Sequence, residues 1–81
     1  MEIRVQFFSY FRDLTGCENE LFDVEDGDSL GRLVDKVLSR FPKLDGMQNS
    51  TLIAVDVEYQ DREYTLCEGD VVSLFPPVQG G

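Results

Sequence analysis

An apolar stripe with helical spacing runs from residue 30 to residue 41 and is the strongest pattern in the sequence. Its apolar positions recur at intervals of three and four residues, and the positions between them are mostly polar or charged. Ser29 is a favourable N-cap, and Pro42 prevents the helix from continuing. We therefore predict an amphipathic helix with one face in the core: Leu30, Leu33, Val34, Val37, Leu38 and Phe41.

Alternating apolar and polar positions predict a strand pair before this helix. Residues 2–8 alternate, and their inward positions are Ile3, Val5 and Phe7. Residues 9–16 read as a connection, and residues 20–24 can return beside the first strand as a hairpin-like partner. The acidic run at residues 26–28 is predicted to be a turn that leads into the helix, because it lacks the further ligands of a calcium loop.

The chain after the helix is predicted to return to the sheet. Residues 43–50 read as a loop, and residues 51–57 as an inner strand with Ile53, Val55 and Val57 on its buried face. Residues 58–66 are predicted to form a short, charged edge pair around residues 60–62. A turn at residues 68–70 then leads into a last strand at residues 71–75.

This order of elements predicts an α+β domain, because a single amphipathic helix needs one apolar sheet face to cover. The expected fold is the ubiquitin-like β-grasp, a mixed sheet of four to five strands with one main helix on one face. In that topology the first and last long strands are parallel neighbours, joined by a crossover through the helix. We assign residues 1–75 to this domain and residues 76–81 to a flexible tail that ends in Gly-Gly.

Composition and charge exclude several classes of function. The 81 residues include no histidine, which removes the commonest general base and nitrogen metal ligand. Seven basic and 16 acidic residues give a net charge of −9, which disfavours nucleic acid and anionic membranes and favours a basic groove in a partner protein. Neither a membrane span nor a signal peptide is visible, so we expect a cytoplasmic location.

The sequence has no motif for a resident metal or nucleotide. Cys17 and Cys67 lie fifty positions apart and outside any C-x-x-C pair, so we interpret both as ordinary thiols. The sequence contains neither of the two glycine motifs that bind nucleotide phosphates, G-x-x-x-x-G-K-[ST] and G-x-G-x-x-G. We expect no bound cofactor, and any ATP chemistry must therefore come from another protein.

The terminal segment carries the chemical signal. Pro76 and Pro77 lock the backbone and remove two amide donors, which predicts a stiff exit from the sheet. Gly80 and Gly81 have no Cβ atoms, so this tip can thread a narrow passage and present its carboxylate. Transfer of AMP to a carboxylate gives a mixed anhydride that a sulfur donor or an amine can attack. Attack by sulfur would leave a terminal thiocarboxylate.

The chain resembles the small, sulfur-carrying subunits of molybdopterin synthase, in the MoaD/ThiS group of ubiquitin-like proteins. The resemblance spans the whole chain, and the segments that carry it most specifically are Gly69-Asp70, Phe75-Pro76-Pro77-Val78 and Gly80-Gly81. Weaker support comes from Phe7-Phe8 and Arg12-Asp13-Leu14-Thr15-Gly16. Two positions depart from the family pattern: Asp56 replaces a frequent asparagine, and Gln79 replaces a small residue.

The resemblance implies a set of partners and a reaction. An adenylating enzyme related to ubiquitin activators would use ATP to charge Gly81, and a sulfurtransferase would supply sulfur. The tail, with Pro76, Pro77, Val78, Gln79 and Gly80 as its partner-binding residues, would then enter the large subunit of the synthase. Two sulfurs would be added in turn to a cyclic pyranopterin monophosphate, in a heterotetramer with two small subunits.

Three aromatic residues are candidates for a docking surface. By strand alternation Phe8 and Phe75 point away from the helix on neighbouring strands, and Tyr59 begins the adjacent edge segment. We predict that these three side chains form an apolar docking patch with acidic residues at its rim.

Other functions share the same tail. A carrier of this kind could donate sulfur to the thiazole of thiamin or to tRNA, although Pro76-Pro77 favours the synthase. A ubiquitin-like modifier would be captured by a lysine instead of by sulfur. A plain interaction module would use neither chemistry.

Overall fold

The computed structural model, which describes residues 1–44, 46 and 51–76, contains a mixed five-stranded sheet and one main helix. The strands are β1 (Glu2–Phe7), β2 (Asn19–Asp23), β3 (Leu52–Val55), β4 (Glu58–Tyr59) and β5 (Val71–Phe75). The helices are α1 (Tyr10–Thr15) and α2 (Leu30–Arg40), and a short 3-10 turn follows at Pro42–Leu44. The chain has the predicted ubiquitin-like β-grasp fold.

The strand order is β2-β1-β5-β3-β4. β1 pairs antiparallel with β2 and parallel with β5, and β3 pairs antiparallel with both β5 and β4. The predicted parallel pairing of the first and last strands is confirmed. Within the described residues, no helix is long and apolar enough to cross a membrane.

One face of the sheet packs against the apolar stripe of α2. The strand residues on this face are fully or almost fully buried: Ile3, Val5, Phe7, Phe22, Ile53, Val55, Val72 and Leu74. The five stripe residues within α2 are also buried, and the sixth, Phe41, is half-buried with its ring 5.4 Å from that of Phe7. Burial of each large apolar side chain contributes about 1.5–3 kcal/mol, so packing supplies most of the stability of this helix.

The first four backbone amides of α2 all have acceptors, which fixes where the helix begins. These bonds run from Leu30 N to Tyr64 O (2.7 Å), Gly31 N to Arg62 O (2.9 Å), Arg32 N to Ser29 Oγ (3.2 Å) and Leu33 N to Ser29 O (3.2 Å). The predicted Ser29 cap is therefore confirmed. The first two bonds also hold residues 62–64 against the helix.

This attachment corrects the prediction for residues 58–66. Only Glu58–Tyr59 forms a strand, and it pairs with β3 rather than with the residues that follow it. Residues 60–66 continue as a loop over the start of α2, because its free amides recruit carbonyl groups from this segment. The predicted edge pair is wrong.

The predicted inward position of Val57 is also wrong, since its side chain is 94% exposed. β3 ends at Val55, and Asp56 follows with a φ of 56°, which turns the chain toward β4. Aspartate is one of the few residues that tolerate this conformation. The Asp56 side chain also accepts a hydrogen bond from Val71 N at 3.3 Å. The departure from the family pattern at this position therefore lies in a turn.

The two predicted connections contain short helical segments. Residues 9–16 include α1, which buries Phe11 and packs against the Pro42–Leu44 turn. That turn buries Leu44 at the start of the predicted loop. Asp45 and residues 47–50 lie outside the described residues. α1 has only six residues, too few to show helical periodicity in the sequence.

Ser9 joins β1 to α1 in a backbone conformation that favours glycine. Its φ is 59° and its ψ is −139°, and its side chain makes no capping hydrogen bond. Such conformations cost about 1–3 kcal/mol for residues other than glycine. The flanking contacts impose this one, because Phe8 N donates to Leu74 O on one side and Phe11 is buried on the other.

We expect Ser9→Gly to stabilise the fold by about 1 kcal/mol, because relief of backbone strain exceeds the extra entropy of glycine in the unfolded chain. Ser9→Val should destabilise it by about 1–2 kcal/mol, since a β-branched side chain is disfavoured at positive φ. Urea unfolding measures both changes. The control Ser39→Gly, at an exposed position inside α2, should instead lower stability. A loss of stability in Ser9→Gly as well would contradict the strain at Ser9.

Candidate functional site

Pro76, the last described residue, follows a strand in the middle of the sheet. β5 lies between β1 and β3, and Pro76, which follows it, is half-buried. Because β1 and β5 are parallel, Phe8 and Pro76 follow their strands at the same end of the sheet. The further predicted site residues lie outside the described residues: Pro77, Val78, Gln79, Gly80 and Gly81. Their assignment to a partner-binding and reactive tail stays a prediction.

The structure brings the three predicted docking residues together on the sheet face opposite α2. The rings of Phe8 and Phe75 are stacked, with centroids 4.7 Å apart and an interplanar angle of 16°. The Tyr59 ring lies 6.4 Å from that of Phe75 in an edge-to-face arrangement. Phe8 and Phe75 are half-buried, whereas Tyr59 is 70% exposed. We call Phe8, Tyr59 and Phe75 the aromatic patch.

Small residues beneath the patch explain how aromatic side chains cover an outer sheet face. Ala54 is the cross-strand partner of both Tyr59 and Ser73, and Ala54 and Ser73 are both buried. Ser73 Oγ donates to Gln6 Oε1 at 3.3 Å, which satisfies the hydroxyl. The short side chains of Ala54 and Ser73 therefore leave room for the large rings on the outer sheet face.

Leu52 adds to the patch, and our sequence analysis missed it. It pairs directly with Phe75 and is half-buried. Cross-strand partners point to the same side of a sheet, so Leu52 shares the outer face with the aromatic rings. The alternation of residues 51–57 already places it opposite Ile53, which was the available signal.

Three exposed acidic side chains lie in or next to β4, the short strand that carries Tyr59. Asp56, Glu58 and Asp61 are exposed in the hairpin and loop around β4. Their charge favours a partner with basic residues around an apolar centre. Asp56 accepts a hydrogen bond from Val71 N, at the opposite end of β5 from Phe75, so the acidic rim of the patch stays a prediction.

Asp70 organises the turn that precedes β5. Its Oδ2 atom accepts hydrogen bonds from Tyr64 Oη at 3.0 Å and from Cys67 N at 2.8 Å, and Gly69 supplies a φ of 91°. The Asp70 hydrogen bond, with burial and the nearby negative charge, raises the pKa of Tyr64 to about 12. The Gly69-Asp70 pair therefore has a local structural role at the start of the strand that carries the tail.

The cysteines and the acidic turn take no part in this site. Cys17 is half-buried beside the core, Cys67 is exposed, and both are free thiols. The predicted turn at residues 26–28 is confirmed: Asp28 Oδ2 accepts from Glu25 N at 3.0 Å, and Gly27 has a φ of 86°. Among the described residues, no group of three potential metal ligands comes together.

Comparisons with known proteins agree with this geometry. The ThiS family matches residues 5–81. The molybdopterin synthase sulfur carrier subunit of Chlamydomonas reinhardtii is 32% identical over 84 residues, and the alignment covers all of both chains. Small archaeal modifier protein 3 of Haloferax volcanii is 29% identical over 92 residues, also with full coverage of both. A solved protein-protein complex of subunits 1 and 2 of the molybdopterin-converting factor from Helicobacter pylori contains a chain that is 28% identical, with a TM-score of 0.70 and full coverage of both chains.

We expect the stability of the protein to fall as the pH rises from 10, where the unfolded tyrosine titrates, to about 12, where Tyr64 titrates in the folded state. Over this interval the folded state binds more protons than the unfolded state, so alkali favours unfolding. Tyr64→Phe should reduce the slope of unfolding free energy against pH, measured by urea unfolding. The control Ser39→Ala, at an exposed position of α2, removes a hydroxyl that does not titrate in this range and should keep the wild-type slope. Equal slopes for wild type and Tyr64→Phe would contradict the Tyr64–Asp70 contact.

Proposed function

The chain belongs to the ThiS family and is a ubiquitin-like sulfur carrier, and from this premise we propose that it is the small subunit of a molybdopterin synthase. In this proposal the Gly81 carboxylate is converted to a thiocarboxylate and donates sulfur to cyclic pyranopterin monophosphate. The single observation that carries the proposal is the full-length similarity to a molybdopterin synthase sulfur carrier subunit. A cytoplasmic location and a heterotetrameric synthase form part of the same proposal.

The proposed reaction begins with activation by a partner. An adenylating enzyme joins the Gly81 carboxylate to AMP from ATP and releases pyrophosphate. The persulfide of a sulfurtransferase then attacks the acyl carbon and expels AMP, and a thiol reductant cleaves the S–S bond of the resulting acyl disulfide, which leaves the thiocarboxylate. The thiocarboxylate sulfur then attacks a carbon of the pterin and displaces an oxygen leaving group. Water cleaves the resulting thioester, which leaves the sulfur on the pterin as a thiolate and restores the Gly81 carboxylate.

The chain's own contribution is to bind partners and to present its tail. It has no histidine, and none of these steps requires one of its side chains to transfer a proton. β5 has strand neighbours on both sides, so the residue before Pro76 is held in the sheet. Two prolines at the start of that segment favour an extended path away from the body.

The aromatic patch is our proposed contact with the large subunit. It lies at the end of the sheet from which the tail departs, so one partner can bind both. The patch combines stacked rings with a highly exposed tyrosine, a composition typical of interface centres. The subunit complex of the similar Helicobacter pylori protein supports a partner of this kind.

A protein modifier is the second candidate, and the similarity to small archaeal modifier protein 3 favours it. The first chemical step is the same, but a lysine amine attacks the activated Gly81 and forms an isopeptide bond. Sulfur donation to thiamin or tRNA synthesis would share the thiocarboxylate and differ in its acceptor. The product therefore separates these functions.

We expect incubation with ATP, the cognate adenylating enzyme and a sulfur source to replace one oxygen of Gly81 by sulfur. Intact-mass spectrometry of the whole protein measures the change, and fragmentation assigns it to the last residue. The control protein that lacks Gly81 should show no change. Isopeptide-linked adducts without a thiocarboxylate would favour the modifier, and sulfur incorporation in the truncated control would contradict the proposed site.

We expect Phe75→Asp to weaken binding to the cognate large subunit by about 30-fold or more, the size of loss typical of an interface hot spot. Titration calorimetry measures the affinity. Val57→Asp places the same charge at an exposed hairpin tip outside the patch and should change affinity less than about threefold.

A second variant separates docking from folding. Tyr59→Ala alters a side chain that is 70% exposed, so thermal unfolding should be nearly unchanged while affinity falls. Wild-type affinity in both Phe75→Asp and Tyr59→Ala would show that the large subunit does not dock on the aromatic patch.

A further inference from the structure

Arg4 lies on the same outer sheet face as the aromatic patch, two rows of residues away from it. Its cross-strand partners are Leu21 on β2 and Val71 on β5. Leu21 is 45% exposed and Val71 is half-buried, so the guanidinium group emerges between two accessible apolar side chains. Arg4 Nη1 donates a hydrogen bond to Asn19 Oδ1 at 2.8 Å, which holds the group in position.

The charge environment of Arg4 differs from that of the other arginines. Each of the other four has a carboxylate partner within 4.0 Å: Arg12 with Glu18, Arg32 with Asp28, Arg40 with Glu20 and Arg62 with Asp35. Within the described residues Arg4 has an amide partner and no carboxylate, although the chain carries 16 acidic residues. The exposed guanidinium of Arg4 therefore retains donors for an external group.

An arginine between apolar neighbours, such as Arg4, binds a carboxylate more strongly than a fully hydrated surface arginine does. A guanidinium can bind both oxygens of a carboxylate at once, and exclusion of water by apolar neighbours strengthens such a pair. Leu21 and Val71 supply those neighbours, and Asn19 reduces the conformational entropy that an arginine loses on binding.

The Arg4 position is continuous with the proposed docking surface. Arg4, Gln6 and Phe8 lie at alternate positions along the first strand and the residue after it, so they share one face. Four residues of extended chain place Arg4 roughly 13 Å from Phe8 along the strand. A partner that covers the aromatic patch can reach Arg4 within an interface of ordinary width.

We propose that Arg4 binds a carboxylate side chain of the large subunit that docks on the aromatic patch. This inference rests on the proposed function. The acidic residues of this surface attract basic residues of the partner, and Arg4 adds one contact of the opposite charge on the same face. An ion pair in which this chain supplies the positive charge fixes the position of the partner on the sheet face, because a shifted or rotated partner would place a basic residue against Arg4.

The test compares the binding of the cognate large subunit by wild type, Arg4→Gln and Arg4→Glu. Arg4→Gln should weaken binding about tenfold and Arg4→Glu about 100-fold, chiefly through faster dissociation. The matched control is Arg32→Gln, an exposed arginine on α2, which should bind within about twofold of wild type. Surface plasmon resonance gives both rate constants, and thermal unfolding confirms that each variant is folded.

Charge reversal on the partner completes the test. Single acid-to-lysine variants of the large subunit should include one that binds Arg4→Glu at least tenfold more tightly than the wild-type large subunit does. Failure of wild type and Phe75→Asp alike to show measurable binding would overturn the proposed function itself. Normal binding by wild type and loss in Phe75→Asp, with Arg4→Glu unchanged, would overturn only the role of Arg4.

Discussion

The parallel pairing of β1 with β5 determines the layout of the whole molecule. Parallel neighbours cannot be joined by a tight turn, so the chain must cross over, and α2 supplies that crossover while covering one sheet face. The same pairing brings the ends of both strands to one edge of the sheet. Phe8 and Phe75 stack there, directly before the segment that starts at Pro76. The aromatic patch and the start of the proposed tail thus lie together because of one topological requirement.

The elements that the sequence predicts correctly are those whose apolar and polar pattern specifies the helix or strand without tertiary contacts. α2 has a three-turn apolar stripe with a cap and a proline stop, and β1 alternates over its full length. The failures have tertiary causes. Residues 60–66 became a loop because the first amides of α2 bind the carbonyl groups of Arg62 and Tyr64. Val57 faces solvent because Asp56 reverses the chain one residue earlier than alternation suggests.

The candidate site shows the same division between local and tertiary information. Strand parity alone places Phe8 and Phe75 on the outer face, and the fold then explains why their rings meet. The register between β3 and β5 decides that Leu52 pairs with Phe75 and that the short side chains of Ala54 and Ser73 are neighbours. The lack of an ion pair at Arg4 within the described residues depends on where the acidic residues of other strands and loops lie. The spacing of residues within one segment contains no information about how far Arg4 lies from the acidic residues of other segments.

A body without catalytic histidine transfers the choice of reaction to its partners. The activated glycine of a sulfur carrier and that of a modifier have the same acyl carbon, so the product depends on the nucleophile that a bound partner brings to it. In the proposed function, selection of the partner is the specificity step, and a face that combines apolar, acidic and basic contacts discriminates by position as well as by charge. Partners that match only the apolar contacts would leave Arg4 or the acidic residues opposite unsuitable charges, and each such mismatch lowers affinity. The fold therefore influences the chemistry of its tail through the surface that it presents beside it.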